Sequence, residues 1–287
     1  MIIKKSWVVL KTTYLKWLLS SRLLIFAFSY MFMYVYFIQP LIELSKTFNT
    51  PLNAFEPFIS LMNNGFFSPL VALTYLILII DHPKLCDYST LILFRSGRIP
   101  WLIGQLFFLL SSALTFMLFL LFTSMLSIMN NSFIINSWSL VSRYITREEN
   151  LLLRNQALFA TIDESVINQS RPYSAIINAF LLGILFMLFV GIIKMLFTLF
   201  RKKVLGVFID LILLALGLVL WVLDMGLKWL LPVANSVYGW HYDKIYNTEL
   251  QSILYSYLYF LILITVLIAV LVLITKRCSF YITGGTD

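Results

Sequence analysis

Five long stretches of this chain contain no charged residue. They lie between Arg22 and Glu43, between Glu56 and Asp81, between Arg98 and Arg143, between Arg171 and Lys194, and between Glu249 and Lys276. About 20 apolar residues in a helix cross the ~30 Å hydrocarbon layer of a membrane, and a helix satisfies its own backbone hydrogen bonds there. Because 61% of the residues are hydrophobic and 12% are charged, a soluble enzyme, a disordered chain and a disulfide scaffold are excluded. The chain is predicted to be an all-α integral membrane protein.

Six transmembrane helices are predicted. One more apolar segment, 204–223, contains a single ionisable residue, Asp210. The longest charge-free stretch is rich in Asn and Ser at its far end, which favours one long helix over two short spans. The spans are expected at about 22–41, 62–80, 101–127, 175–199, 204–223 and 252–275, within a single transmembrane domain over residues 1–287.

The positions of Lys and Arg predict the orientation. With both termini in the cytoplasm, 14 of the 21 Lys and Arg residues lie on the cytoplasmic side, as the positive-inside rule requires. Residues 81–100 are then cytoplasmic, whereas 128–174 and 224–251 are extracellular, and the protein is expected in the cell membrane. The net charge of +8 is therefore interpreted as a topology signal, and nucleic acid is not an expected partner.

Residues 1–21 are too charged to span a membrane, yet they are strongly patterned. Apolar and aromatic residues recur at steps of three and four along one helical face. These residues are Ile3, Trp7, Leu10, Tyr14 and Trp17. The spacing predicts an interfacial amphipathic helix, with its aromatic face among the lipid headgroups and its lysines toward anionic lipid. An ordinary basic flank before the first span is the alternative.

The link 81–100 is predicted to hold a short cytoplasmic helix. Asp87 or Ser89 can cap its first turn. The helix then runs through Tyr88–Ser96 and can end at Gly97. Two interpretations stay open: a helix that docks on a soluble partner, or a juxtamembrane linker whose arginines only hold the orientation.

The second span begins with residues that interrupt helices. Its first turns contain Asn63, Asn64, Gly65 and Pro69. Irregular backbone at membrane depth is tolerated only where it is buried in protein or faces water. The pattern fits either a broken, partly re-entrant start or a helix that simply begins at Phe66.

Few side chains are placed for catalysis or metal binding. The two histidines, His82 and His241, are predicted on opposite sides of the membrane, so they cannot share a zinc ion. The glycines form no P-loop pattern, so the chain does not bind ATP by that motif. Neither a metal nor a cofactor is expected in this chain.

Asp210 is the acidic residue predicted inside a span. It is interpreted as the partner of a lysine in an intramembrane ion pair, with Lys194 as the main candidate and Lys202 or Lys203 as others. A functional intramembrane acid is the alternative, since charges in a span are costly and usually serve a purpose.

Four local motifs resemble the permease subunits of type-2 ABC exporters from Firmicutes. They are Ile80-Asp81-His82-Pro83; Arg95-Ser96-Gly97-Arg98 followed by Trp101, Gly104 and Gln105; Asn136-Ser137-Trp138-Ser139; and the basic–aromatic end from Lys276-Arg277 to Phe280. They are similar, in that order, to the end of the second span, the first cytoplasmic link, the segment after the third span and the C-terminal end. His82 stands where this family usually has a small or apolar residue.

The resemblance implies a mechanism and partners. Two six-span permeases, identical or homologous, pair above two separate ATPase subunits, which bind ATP and Mg²⁺. This chain is then not itself an enzyme. The link 81–100 acts as a coupling helix in a groove of the ATPase. The residues expected to contact the ATPase are Asp87, Tyr88, Leu91, Phe94, Arg95 and Arg98.

Polar and aromatic side chains within the spans favour an amphipathic peptide or a lipid-like molecule as the exported substrate. The polar set is Gln105, Ser111, Ser112, Thr115 and Asn178, and the aromatic set is Tyr30, Tyr34, Tyr36, Tyr255, Tyr257 and Tyr259. Aromatic belts at the membrane interface also explain many of these tyrosines. The alternative function for the whole chain is a non-transporting membrane scaffold, sensor or immunity protein.

Overall fold

The computed structural model describes residues 2–83, 87–146, 157–243 and 248–277. The helices in these ranges are α1 (Ile2–Leu18), α2 (Leu24–Met33), α3 (Gln39–Phe48), α4 (Glu56–Asn63), α5 (Phe67–Leu78), α6 (Asp87–Ser96), α7 (Arg98–Ile128), α8 (Leu140–Ile145), α9 (Glu164–Gln169), α10 (Pro172–Leu199), α11 (Lys203–Val222), α12 (Pro232–Ser236) and α13 (Ile253–Arg277). Two short strands, β1 (Leu52–Asn53) and β2 (Ser132–Phe133), pair in parallel.

Within the described ranges, five helical segments are long and apolar enough to cross a membrane. They are Ser21–Phe48, Arg98–Asn131, Pro172–Leu199, Lys203–Val222 and Ile253–Arg277. The count becomes six if the bent pair α4–α5 is taken as one span. The predicted all-α membrane fold is confirmed at this level, and α7 is a single long helix over the region where two spans were the alternative.

The first span is longer than expected and contains a π turn. Helix α2 continues into this turn at Tyr34–Ile38 and then into α3, which ends at Phe48. Pro40 explains the wide turn, because proline has no N–H to donate and its ring crowds the preceding turn of the helix. The span ends where Asn49 adopts a left-handed conformation with a φ of 50°.

Helices α4 and α5 lie where the second span was expected, at about 62–80. They meet at an angle of 90° across the break at 64–66. The side-chain oxygen of Asn64 accepts the backbone N–H of Phe66 (3.0 Å), which stabilises the break. A Cβ atom at Gly65 would lie 2.2 Å from the ring of Trp240, so a larger residue would displace that ring. Of the two alternatives, the structure adopts the broken start, because an ordered helix precedes the break.

Successive helices run between two ends of the molecule. At one end, Arg22 pairs with Asp81, and Arg98 donates to the backbone carbonyl of Lys276 (2.5 Å). These residues, together with Lys194, define what we call the basic end. At the opposite, far end, β1 and β2 join the segments that follow α3 and α7.

Helix α10 forms the centre of the bundle, where it contacts α4, α5, α7, α11, α12 and α13. Small residues allow the closest approaches. Gly183 lies against Met62 and Met117, and Gly191 lies against Leu109. Helices in lipid commonly associate through such small-residue contacts, because the burial of apolar surface gives little driving force there.

Helix α1 packs lengthwise on α7. Its buried side chains are Ser6, Val9, Leu10 and Trp17. The indole N–H of Trp17 donates to the carbonyl of Leu78 at the end of α5 (3.0 Å). Gly104 of α7 allows the close contact, since a Cβ atom there would lie 2.6 Å from the Cβ of Val9.

This packing divides the aromatic stripe predicted along α1. Leu10 and Trp17 are buried inside the protein, whereas Ile3 and Trp7 are 82% and 64% exposed. The expectation of one aromatic face lying in lipid is therefore corrected for its C-terminal half. Both lipid and a neighbouring helix accept apolar side chains, so helical periodicity alone does not distinguish between them.

Candidate functional site

The helix predicted in the link 81–100 is α6, which lies at the basic end between α5 and α7. Gly97 ends it with a φ of 90°, a conformation that strains other residues. The N–H of Gly97 donates to the carbonyl of Leu93 (2.8 Å). Helix α7 begins at the next residue, so a displacement of α6 acts directly on the end of the long helix α7.

One face of α6 is exposed and mixes apolar and cationic groups. Leu91 and Phe94 are 54% and 63% exposed, and Arg95 is exposed beside them. Leu93 and Ser96 point the other way and are buried. Positions three and four apart share one side of a helix, so Leu91, Phe94 and Arg95 form a continuous surface, which we call the α6 face.

The other residues expected to contact an ATPase have different environments. Arg98 is exposed, but its guanidinium also donates to the carbonyl of Lys276, which ties the start of α7 to the last turn of α13. Asp87 and Tyr88 lie in the first turn of α6, and their side chains fall outside the described part of the chain. Sequence reasoning missed the contact with Lys276, because the two residues are 178 positions apart.

Lys194 holds the end of α5 from within the bundle. Its side chain is wholly buried, and its ammonium group donates to the backbone carbonyls of Ile79 (3.1 Å) and His82. The last carbonyls of a helix have no intrahelical donor, and the ammonium group supplies one. The salt bridge between Arg22 and Asp81 holds the same turn. The backbone that leads into α6 is therefore attached to α10 and to the start of the first span.

Asp210 is buried but makes no salt bridge with Lys194. Neither of its carboxylate oxygens accepts a hydrogen bond from the described residues. Gly206 of α11 lies against the backbone of Lys194, and Asp210 follows one turn further along α11. The carboxylate of Asp210 and the ammonium group of Lys194 interact electrostatically. The expected ion pair is thus a through-space interaction, and the ammonium group is directed to the end of α5 instead.

Most of the polar side chains expected along a substrate path instead connect helices. The bonded pairs are Thr115 with Tyr14, Gln105 with Thr13, Ser112 with Tyr75, and Asn178 with Tyr257. The first two fix α1 to α7, the third joins α5 to α7, and the fourth joins α10 to α13. These hydroxyl and amide groups are therefore engaged within the protein.

An apolar cavity of about 630 Å³ lies between α2 and α5. Its walls include Phe28, Met31, Val35, Leu70 and Val71. Two of its hydroxyls, on Ser29 and Thr74, donate to carbonyls of their own helices at 2.6 and 2.8 Å. Because these two protons are already used and the other lining residues except Tyr36 are apolar, the cavity is suited mainly to hydrocarbon.

Glu56 lies at the centre of a buried cluster at the far end, although in the sequence it only marks the edge of a charge-free stretch. Its carboxylate accepts the N–H (2.7 Å) and hydroxyl (2.8 Å) of Ser139 and the N–H of Asn53 (3.3 Å). The Asn53 amide donates to the carbonyls of Ile135 and Ser137 at 2.7 and 2.9 Å. The cluster binds the start of α4 to the segment after α7.

The two histidines lie at opposite ends of the bundle, as predicted. His82 is at the basic end, where its carbonyl accepts from Lys194. His241 is buried at the far end, with Nε2 2.7 Å from the hydroxyl of Ser256 and Nδ1 3.1 Å from the carbonyl of Val237. Burial lowers the pKa of His241 to about 4, so the ring is neutral at physiological pH and its role is structural.

Comparison of the chain with protein-family models, with curated proteins and with solved structures gives no significant match. The functional assignment therefore depends on the motifs and on the geometry of the basic end. Among the described residues, no group of three or more His, Cys, Asp or Glu side chains is placed to hold a metal ion. Cys86 and Cys278 lie outside those residues.

Proposed function

We propose that this protein is a permease subunit of an ATP-driven exporter. It would pair with a second permease, the same or homologous, and dock on separate ATPase subunits that bind ATP and Mg²⁺. The observation that carries this proposal is the α6 face: Leu91, Phe94 and Arg95 are exposed together on a short helix between two spans. Exposed apolar residues beside a cation, on a structured link, are suited to a groove on a soluble partner.

The contacts around α6 offer a route by which the partner's motion reaches the spans. Gly97 joins α6 directly to α7, and Arg98 links the same junction to the end of α13. On the other side, Lys194 connects the end of α5 to α10. Movement of α6 by an ATPase therefore acts on three spans and on the central helix. In this mechanism the ATPase supplies the energy of ATP hydrolysis and this chain converts it into helix movement.

The proposed substrate is an amphipathic peptide or a lipid-like molecule. The cavity between α2 and α5 supports this class, because its walls are apolar and the hydroxyls of Ser29 and Thr74 are already engaged. A lipid-like molecule can place hydrocarbon there without leaving a buried polar group unpaired.

The proposal requires the basic end, and with it α6, to face the cytoplasm. In a variant without native cysteines, a cysteine at Leu140 should react with an impermeant maleimide in intact cells, because this far-end residue is 65% exposed. A cysteine at Lys202, in the exposed turn between α10 and α11, should react only after the membrane is permeabilised. Ser139 is unsuitable as a probe position, since it is buried against Glu56. Labelling of position 202 from outside would invert the topology and remove α6 from any cytoplasmic ATPase.

The test of the ATPase contact is copurification with a charge reversal in the α6 face. A tagged chain extracted mildly from its own organism should bring down a P-loop ATPase. Arg95→Glu should reduce the recovered ATPase at least fivefold, because juxtaposed like charges at an interface cost several kcal/mol. Phe94→Asp should do the same by removing the apolar contact.

The matched control is Lys202→Glu, which makes the same charge change at an exposed position of the same end. It should leave ATPase recovery unchanged. Arg98→Glu is a second comparison, since it also breaks the contact with Lys276 and should lower thermal stability, which Arg95→Glu should not. Recovery of this chain without an ATPase would favour the scaffold, sensor or immunity alternative.

A further inference from the structure

A second cavity, of about 300 Å³, lies at the basic end between α1 and α6. Two cations line it, Lys5 from α1 and Arg95 from α6. Its walls are largely apolar and include Val8, Val9 and Ile92. The volume is at the lower limit of small-molecule sites in proteins. The cavity thus combines two cations with largely apolar walls.

The surroundings of this cavity are positive without a compensating acid in α1 or the first span. Residues 2–42 contain five Lys and Arg residues and no Asp or Glu. The Lys5 ammonium group donates to the backbone carbonyl of Arg95 at 3.5 Å, a long hydrogen bond that brings the Lys5 side chain to the last turn of α6. The hydroxyl of Thr12 is engaged with the carbonyls of Val8 and Val9. The hydroxyl of Ser96, which also lines the cavity, donates to the carbonyl of Gly97 (3.3 Å). An anion could pair with the two cations, whereas the remaining walls are apolar.

We propose that this cavity binds an anionic phospholipid, with its phosphate between Lys5 and Arg95 and the first methylenes of an acyl chain against Val8, Val9 and Ile92. Arg is well suited to phosphate because its planar guanidinium can donate two parallel hydrogen bonds. Anionic headgroups attract basic segments next to the membrane. The apolar walls favour a phospholipid over free phosphate, since a soluble anion would leave them in contact with water.

The proposed lipid would join α1 to α6 and would do so independently of any ATPase. Arg95 belongs both to this cavity and to the α6 face, so the lipid would also fix the position of one residue that the partner is proposed to contact. The two ideas can fail separately, because lipid binding is measured on the purified chain alone.

The test is native mass spectrometry of the full chain after delipidation in detergent, with phosphatidylglycerol or phosphatidylcholine added. Phosphatidylglycerol should be retained preferentially. Lys5→Gln or Arg95→Gln should weaken its binding about fivefold each, and the double variant about thirtyfold, from the usual contribution of one basic residue near an anionic headgroup. Lys202→Gln is the matched control and should bind as the native protein does.

Two further measurements distinguish binding in this cavity from non-specific attraction of anionic lipid to basic residues. Val8→Trp keeps both cations but fills the cavity from an exposed position, and it should also lose the lipid. Glycerophosphate, which has the anion without the acyl chains, should not displace phosphatidylglycerol at equal concentration. Equal retention of the two phospholipids, unchanged binding in the Gln variants, or displacement by glycerophosphate would each overturn the proposal. The single Gln variants keep the test decisive if the double variant does not fold.

Discussion

Alanine in place of Glu56 is expected to lower the free energy of unfolding by about 4 kcal/mol, because each buried polar group that loses its partner costs roughly 1–3 kcal/mol. The Glu56 side chain is wholly buried and accepts three hydrogen bonds, two from Ser139 and one from Asn53. Its removal leaves those donors unpaired and opens a cavity between α4 and the segment after α7. The loss should appear as a lower midpoint of SDS-induced unfolding in mixed micelles.

The matched control for Glu56→Ala is Glu43→Ala. Glu43 lies on the preceding helix α3, is exposed, and accepts one hydrogen bond from Gln39 (2.9 Å). Exposed substitutions of this kind change stability by less than about 0.5 kcal/mol. The stability loss of Ser139→Ala should fall between those of the two Glu variants, because this substitution removes the hydroxyl but keeps the backbone N–H. Equal midpoints for Glu56→Ala and Glu43→Ala would show that the far-end cluster does not hold the fold together.

Glu56 also illustrates what the sequence does and does not predict in this protein. Long charge-free stretches predict the long apolar helices well, since lipid excludes charge and requires a helical backbone; α7, α10 and α13 fall where this pattern places them, and α11 falls on the apolar segment that contains Asp210. The residues next to a single carboxylate between two such stretches do not indicate whether that carboxylate is buried. Its environment is decided by Ser139, 83 residues further along the chain, and pairings of that kind are set by tertiary structure.

At the basic end, too, some features are predicted by neighbouring residues in the sequence, and others depend on contacts between distant residues. The helix α6 and its end at Gly97 follow from local patterns, because cap residues and helical periodicity act within a few positions. The outward position of Leu91 and Phe94 was expected only from the resemblance to the permease family. The direction in which the Lys194 ammonium group points does not follow from local patterns. A lysine near an acid on the next helix predicts an ion pair, yet carbonyls at the end of α5 offered a second acceptor that helical periodicity cannot reveal.

Methionine in place of Lys194 is expected to destabilise the protein by about 3–5 kcal/mol, the usual cost of removing one member of a buried charged arrangement. Methionine fills a similar volume but donates no hydrogen bond, so the carbonyls of Ile79 and His82 lose the one from the ammonium group. Asp210 would also lose the nearby cation while it remains buried. The exposed Lys202→Met, in the turn after α10, is the matched control and should leave the SDS midpoint nearly unchanged.

A second substitution separates these two contributions. Replacing Asp210 with leucine in the Lys194→Met background removes the buried acid, so it should restore at least 1 kcal/mol of the lost stability, as a coupled pair does in a double-mutant cycle. The hydrogen bonds from position 194 to the carbonyls of Ile79 and His82 stay absent in this variant, so the attachment of the link to α10 stays broken. Under the proposed function, the double variant should therefore fold and recover the ATPase, yet show weaker ATP-driven export than the native protein. Additive effects of the two substitutions would show that Asp210 and Lys194 do not interact, and full export by the double variant would show that Lys194 supports folding without transmitting the movement of α6.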